Sequence, residues 1–404
     1  MYDIQKIRAD FPILSREVYG KPLVYLDNGA TTFPKPEKVY QAMDDVNRNL
    51  AVNAGRGSYD LAKKATGLID ETRTKMLSLV NGEQVADVIF APSATIALNM
   101  IIGGLDWSEN DICFVSPFEH NAVMRPLKKA QDENKFEIKQ LPVIRENMTI
   151  DLEKMEYLFS VNNPTKLFIT HISNVTGYIL PVKQIVKIAK KYNCKVIIDA
   201  SQSLGLIDID LINMQADFVV FAGHKNMYGP FGIGGFYMRK GEKINPFIAG
   251  GTGSDSLNLN MPSSIPGMFE PSSPNIVAVA GLNAAADVIK EESVDYFKHE
   301  KGLTDYLISE LSKNRNVVMY LPPKDEHVGI VAFNIKGYKA SDVGMILDED
   351  YSIAVRTGYH CAPLVHEYLA DTDYVGVVRA SLGRYTTKDD VDRLIMAVEE
   401  IDEG

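Results

Sequence analysis

The chain has 404 residues, of which 42 are Lys or Arg and 53 Asp or Glu, for a net charge of −11. That balance excludes a broad positive field for gripping nucleic acid or an anionic membrane, and 46% hydrophobic with 24% charged residues excludes intrinsic disorder. The length suits two domains, one of them large. The opening MYDIQKIRADFPIL mixes acids and bases around no apolar core, nowhere do about 18 apolar residues run together, and three cysteines, Cys113, Cys194 and Cys361, are too few for a disulfide framework or a multi-cysteine metal site. The expectation is a cytoplasmic protein with no nucleic-acid partner, no membrane association and no metal.

From about Lys21 to Met238, short β-branched runs alternate with helical patterns, the rhythm of a parallel sheet with crossover helices. Strands are predicted at Ala86 to Phe90, Ile112 to Val115, Leu167 to Thr170, Val196 to Asp199, Phe218 to Phe221 and Gly234 to Tyr237, apolar throughout as strands buried on both faces should be. Gly250 to Pro274, rich in Gly, Ser and Pro, reads as a long loop, and its length suggests a function. A helix from Ile276 to about Lys313, bent near Ser293, leads into strands at Val317 to Tyr320, Ile330 to Asn334 and Ile353 to Val355 and a helix at Ser341 to Leu347. The division expected is a large α/β domain over 21–290 and a smaller α+β domain over 291–404, with residues 1–20 packing near the latter.

The chemistry concentrates where strands end. In open α/β sheets, ligands gather outside the carboxyl ends of strands, and KVIIDASQ (195–202) and FVVFAGHKNMYGPFGIGG (218–235) would deliver Asp199, Gln202, His224 and Lys225 to one crevice. An acid at one strand end and a lysine after the next suit pyridoxal phosphate, which is carried on a lysine and needs an acid on its pyridine nitrogen. Taken singly, Asp199 reads more simply as a helix cap and Lys225 as a solvated lysine. Small Ser93, Ala94 and Thr95 between a strand and an apolar helix suit a phosphate at a helix start, or a plain N-cap. His120 follows the strand ICFV and Asn174 follows LFIT, each with a loop or turn as the bland alternative. Cys361 in RTGYHCAP is poorly placed to be core, and Arg356 and His360 nearby could support a reactive thiol. Cys113 and Cys194 read instead as small buried hydrophobes.

The series YLDNGATT, EHNAV, HISNVTG, DASQ, AGHK and RTGYHCA, from Tyr25 to Ala362, resembles the cysteine desulfurase and selenocysteine lyase family of pyridoxal-phosphate enzymes. The resemblance covers essentially the whole chain. It implies the class-V aminotransferase fold, an aspartate aminotransferase-like, fold type I α/β architecture with a large mainly parallel α/β/α domain and a smaller α+β domain. It implies Lys225 as the lysine bearing pyridoxal 5′-phosphate, Asp199 on the pyridine nitrogen, His120 stacked on the ring as acid or base, and Gln202 and Asn174 near the ring hydroxyl. Ala94, Thr95 and His224 would hold the phosphate, Arg379 the α-carboxylate of the substrate, and Asn174 would also contact the substrate. Cys361 would take sulfur from L-cysteine as a persulfide, with L-alanine as product, and pass it to a sulfur-acceptor protein. The family resemblance further implies a homodimer in which Ser273, in FEPSSPN, serves the partner's phosphate site.

Some positions depart from the family pattern. Ala222 stands where a phosphate-binding Ser or Thr is frequent, Tyr359 replaces the first histidine of a common GHHCA, and Ile96 and Pro271 are also atypical. The alternatives are a selenocysteine lyase acting on L-selenocysteine, an aminotransferase or β-lyase without sulfur transfer, and a catalytically silent partner of sulfur-transfer proteins.

Overall fold

The computed structural model describes residues 4, 8, 11–55, 57–253 and 257–403. A seven-stranded sheet joins β1 (Ala86–Ala91), β2 (Ile112–Val115), β3 (Glu137–Gln140), β4 (Lys166–Thr170), β5 (Lys195–Asp199), β6 (Phe218–Ala222) and β7 (Gly234–Arg239) in the spatial order β1-β7-β6-β5-β4-β2-β3. Its central strands are buried along nearly their whole length, and successive side chains feed opposite faces. Val196 and Ile198 pack in one apolar cluster, while Ile197, between them, packs in the other. Each such Val, Ile or Phe removed from water contributes about 1.5–3 kcal/mol, so the register that aligns Asp199 with Thr170 and Val220 is strongly held. The carboxyl ends of β4, β5 and β6 are thereby brought level.

The sequence rhythm predicts a parallel sheet, and one strand departs from it: β7 runs antiparallel to both β6 and β1. The link from Ala222 to Gly234 contains turns and no helix, and parallel pairing requires a longer crossover. Gly234 and Gly235 lie where the sheet meets the start of a helix. A Cβ on Gly234 would lie 2.8 Å from the Phe221 carbonyl oxygen and 3.0 Å from the Ala94 amide, so only glycine lets these backbones approach.

The helices that matter to the site are α1 (Glu37–Asn49), α2 (Asp60–Ser78), α3 (Ala94–Gly104), α4 (Asn121–Asn134), α5 (Ile276–Leu311), α6 (Ala340–Tyr351) and α7 (Lys388–Glu403). α1 and α2 pack along α5. α5 runs without interruption past Ser293, and the boundary expected at 290 falls inside it; its first half joins the large-sheet core through Leu282 and Ala286, its end the C-terminal core through Leu307 and Leu311. The C-terminal core lies on a four-stranded antiparallel sheet, β8 (Val317–Met319), β9 (Ile330–Ile335), β10 (Arg356–Gly358) and β11 (Val377–Ser381), ordered β8-β9-β11-β10. The predicted strand at Ile353 to Val355 is not part of it: Ile353–Ala354 pairs in parallel with Val24–Tyr25 instead. That pairing draws Val24 and Leu26 into the C-terminal core. Of the N-terminal residues, Arg8 pairs with Asp390 at 2.9 Å and Phe11 packs on Tyr385, its ring centroid 5.0 Å away; residues 1–3, 5–7, 9 and 10 lie outside the described residues. The predicted loop over 250–274 carries no helix or strand among its described residues.

Candidate active site

Where β5 and β6 end, the chain encloses a cavity of about 220 Å³. Asp199, Ser201, His224 and Lys225 line it from these strand ends, Ser93, Ala94 and Thr95 from the start of α3, His120 and Asn174 from neighbouring strand ends, Gly29 and Ala30 from the N-terminal segment, and Arg356 and Arg379 from the smaller sheet. The predicted Ala94, Thr95, His120, Asn174, Asp199, His224, Lys225 and Arg379 therefore meet in one place. Gln202 stands just behind the wall, its Nε2 donating to the Gly29 carbonyl at 2.7 Å. Ser273 does not line the cavity of its own chain and is exposed.

Lys225 is fixed from behind by a segment to which the sequence assigned no role. Thr31 Oγ1 donates to the His224 carbonyl at 2.9 Å, Thr32 Oγ1 to the Lys225 carbonyl at 2.8 Å, and Lys35 Nζ to the His224 carbonyl at 2.7 Å. Lys35 is buried, and burial pushes its amine down to about 7. Enclosure by protein also lowers Lys225, opposed by the attraction of Asp199. A lysine brought toward neutrality keeps more free amine, the form that acts as nucleophile or base.

Ser93 caps α3, its Oγ accepting from the Ile96 amide at 3.2 Å, so the plain N-cap reading holds for that hydroxyl. The cap leaves the first amides of α3 at the cavity without intrahelical acceptors, a standing site for an anion. His224 adds a buried Nδ1 with no partner, and burial ahead of the Lys225 charge holds its ring down to about 4. His120 caps α4: Nδ1 accepts from the Ala122 amide at 2.9 Å, and burial, then Lys225, lowers the ring to about 4. A neutral ring with Nδ1 as acceptor carries its proton on Nε2.

Arg379 is fully buried. Its Nη1 donates to the Asn174 carbonyl at 2.8 Å and its Nη2 to Asp27 Oδ1 at 2.6 Å, while Nε has no partner. Arg356 stands directly opposite it in the β10–β11 ladder. Two like charges in register are unfavourable, and an anion bound between them relieves the repulsion. Arg356 also donates from Nη2 to Cys361 Sγ at 3.2 Å, which ties the thiol to the cavity wall. The backbone there is strained: His360 and Cys361 have φ of +47° and +58°, left-handed values that cost residues with a Cβ about 1–2 kcal/mol each. Cys113 and Cys194 are buried, and burial raises both thiols, Cys194 to about 12.

Sequence reading gave no role to three further groups, although Asp27 and Glu119 lie within YLDNGATT and EHNAV. Asp27, Lys35 and Glu119 are ordinary in composition, and only the folded chain reveals them as an arginine partner, a backbone clamp and a buried acid. Glu119 Oε1 accepts from the Thr170 amide at 2.6 Å and from Ser116 Oγ, Oε2 has no partner, and burial followed by the charge of Asp199 holds its proton up to about 8.

The class-V aminotransferase family model matches residues 24–394. A probable cysteine desulfurase of Halalkalibacterium halodurans is 35% identical over 98% of this chain and 98% of its own, and a cysteine desulfurase of Escherichia coli is 32% identical over 99% and 98%. Among solved structures, the apo cysteine desulfurase of Thermococcus onnurineus superposes with a TM-score of 0.85 at 28% identity, covering 95% of each chain. The cysteine desulfurase CsdA of Escherichia coli, in an S-sulfonic acid form, gives 0.83 at 26% identity over 100% of this chain and 99% of that one. The fold is thus the fold type I architecture that the motifs imply, and the chain belongs to the cysteine desulfurase family of class-V aminotransferases.

Proposed function

We propose that this protein is a cysteine desulfurase that uses pyridoxal 5′-phosphate to convert L-cysteine to L-alanine, taking the sulfur onto Cys361. The observation that carries the reading is one cavity lined by the Lys225 amine and by the Arg356 and Arg379 guanidinia, with the Cys361 sulfur 3.2 Å from Arg356.

The residues present fit the cofactor. The orphaned His224 Nδ1 and Ser201 Oγ and the free amides at the start of α3 supply donors. Ala94, Thr95 and His224 would hold the phosphate, Asp199 the pyridine nitrogen, His120 the ring face, and Gln202 and Asn174 the ring hydroxyl, with Lys225 as the covalent anchor. Ala222 offers no hydroxyl, which leaves more of the phosphate to the helix amides. When bound, the cofactor supplies an electron sink for charge developing on the substrate.

The protein's own groups do the rest. Arg379 and Arg356 hold the substrate carboxylate, for which a planar guanidinium fork is suited. The Lys225 amine moves the α-proton, and His120, neutral and carrying its proton on Nε2, is the acid or base beside it. Cys361 sulfur attacks the sulfur of the substrate: the S–S bond forms, the Cβ–S bond breaks with its electron pair staying on carbon, and that carbon takes a proton and leaves as the methyl of alanine. No outside oxidant or reductant is consumed. A thiol of an acceptor protein then collects the sulfur from Cys361.

The exposed apolar side chains Phe231, Phe247, Ile248, Leu257 and Leu259, near the 250–274 loop, support a homodimer in which that loop brings Ser273 to the partner's phosphate site. Three free cysteines suit a reducing, cytoplasmic setting. The test is product analysis with L-cysteine and L-selenocysteine in parallel, with mass spectrometry of the Cys361 peptide. Alanine together with one added sulfur on Cys361 is expected from cysteine. Turnover of selenocysteine alone would make the protein a selenocysteine lyase.

A further inference from the structure

We infer that Asp371 and His366 are positioning residues for Cys361, a pair outside the cavity that holds the loop in the one conformation from which the thiol meets Arg356. The inference rests on the desulfurase reading for its sulfur readout; the geometry stands without it.

Among the described residues, His360 and Cys361 are the only adjacent non-glycine pair with left-handed backbones. A side chain with a Cβ resists that conformation, so the surroundings must impose it. They do so through carbonyls. The Cys361 carbonyl accepts from the Asn121 amide at 2.6 Å, the His360 carbonyl from Asn174 Nδ2 at 2.7 Å, and the Tyr359 carbonyl from the Ala362 amide and from His366 Nε2, both at 3.0 Å. The first two clamps belong to the cavity wall or to the helix that His120 caps. The third does not, and its only visible task is the loop.

His366 is itself held. Its Nδ1 lies 2.5 Å from Asp371 Oδ2, a side chain almost wholly buried. One ring nitrogen thus meets the Tyr359 carbonyl and the other the Asp371 carboxyl group, so Asp371 fixes the direction in which the ring faces the loop. The turn bearing Asp371 is also built for the purpose: Ala370 and Val375 have φ of +53° and +59°, the latter a β-branched residue for which that value is a genuine outlier. Gly376 closes the turn against Gly358, where the Cys361 loop begins; a Cβ on Gly376 would lie 2.5 Å from the Gly358 carbonyl carbon. The two strained segments brace each other.

The experiment compares wild type, His366→Ala, His366→Gln and Asp371→Asn as cofactor-loaded protein. It measures three things: sulfur gained by Cys361 from L-cysteine, exchange of the α-proton of L-alanine in heavy water, and amide hydrogen exchange across residues 358–363. His366→Ala should lose about 100-fold in sulfur gain, as a displacement of about 1 Å does at a reacting centre, with α-proton exchange unchanged and amide exchange of the loop faster. His366→Gln, whose amide can still donate to the Tyr359 carbonyl, should recover part of the loss, and Asp371→Asn, which keeps the shape of the buried side chain, should carry the test if His366→Ala does not fold. Unchanged sulfur gain and unchanged loop exchange overturn the inference, as does an equal fall in sulfur gain and α-proton exchange. If wild type gains no sulfur on Cys361, the desulfurase reading fails, and loop exchange alone then decides for or against the positioning pair.

Discussion

Lys225 and Cys361 serve one cavity from very different supports. Lys225 follows β6, an interior strand of the seven-stranded sheet with every residue buried, and its carbonyl and that of His224 are pinned by Thr31, Thr32 and Lys35. Cys361 follows β10, a three-residue strand at the edge of the smaller sheet, and reaches its place through a left-handed loop. The lysine inherits its position from the packing of a core. The thiol has little core to inherit from, so its position is assembled from separate hydrogen bonds to Asn121, Asn174 and His366.

The largest expected effect tests the interior side. Lys225→Ala should lower turnover by roughly 10⁴-fold, and borohydride reduction followed by peptide mapping should find the cofactor on Lys225 in wild type and on no lysine in the variant. Retention of the reduced cofactor on another residue would show that the interior strand end is not where the cofactor is anchored. Cys361→Ser tests the edge side. Sulfide release from L-cysteine should fall by about 10³-fold, equivalent to about 4 kcal/mol of barrier, while cofactor absorbance still responds to added cysteine. The two variants then separate, one losing all chemistry and the other only its sulfur step. Full desulfuration in Cys361→Ser would mean that the thiol side is dispensable.

The same contrast explains how far the sequence could be read. β2, β4, β5 and β6 are largely apolar runs ended by polar residues, a local pattern that brings Asp199, His224 and Lys225 to one crevice together, although each taken singly reads more simply as a cap or a solvated loop residue. Arg379 and Cys361 stand in short motifs and were recognisable by type. The direction of β7 was not, although the helix-free link GHKNMYGPFGI, too short for a crossover, is a usable signal. The pairing of Ile353–Ala354 with Val24–Tyr25 joins segments far apart in the chain and has no local trace. Lys35 acts on the His224 carbonyl, which only the fold brings near, whereas Asp371 meets His366 five residues before it, a local pair with no motif to mark it.

A smaller effect concerns the buried acid under the lysine side. Glu119 keeps its proton in the folded protein up to about 8 because of burial and the nearby Asp199, whereas in the unfolded chain it ionises near its ordinary value. Between these values the folded state binds more protons, so the stability from this group is full at low pH and is lost as pH rises through about 8. Urea unfolding of wild type against Glu119→Gln should therefore show wild type losing up to about 1.4 kcal/mol per pH unit relative to the variant between pH 5 and 8. A difference that does not vary with pH would mean that Glu119 is ionised in the folded protein.

The smallest expected effect on activity belongs to the other two cysteines, and it sharpens the contrast between core and edge within one residue type. Cys113 lies inside β2 and Cys194 just before β5, both packed in apolar clusters. Burial raises both thiols, that of Cys194 to about 12, so at pH 8 the reactive thiolate fraction of Cys194 is on the order of 10⁻⁴. Cys361 is partly exposed and faces the Arg356 guanidinium. Iodoacetamide applied to the folded protein at pH 8 should give a single adduct, on Cys361, with the other two labelled only after unfolding. Cys194→Ala should keep wild-type turnover and cost about 1 kcal/mol of stability for the sulfur it removes from the core. A second adduct forming as fast as the first would show that the core around β2 or β5 opens readily, and the firm seating of the lysine would then need a support other than sheet packing.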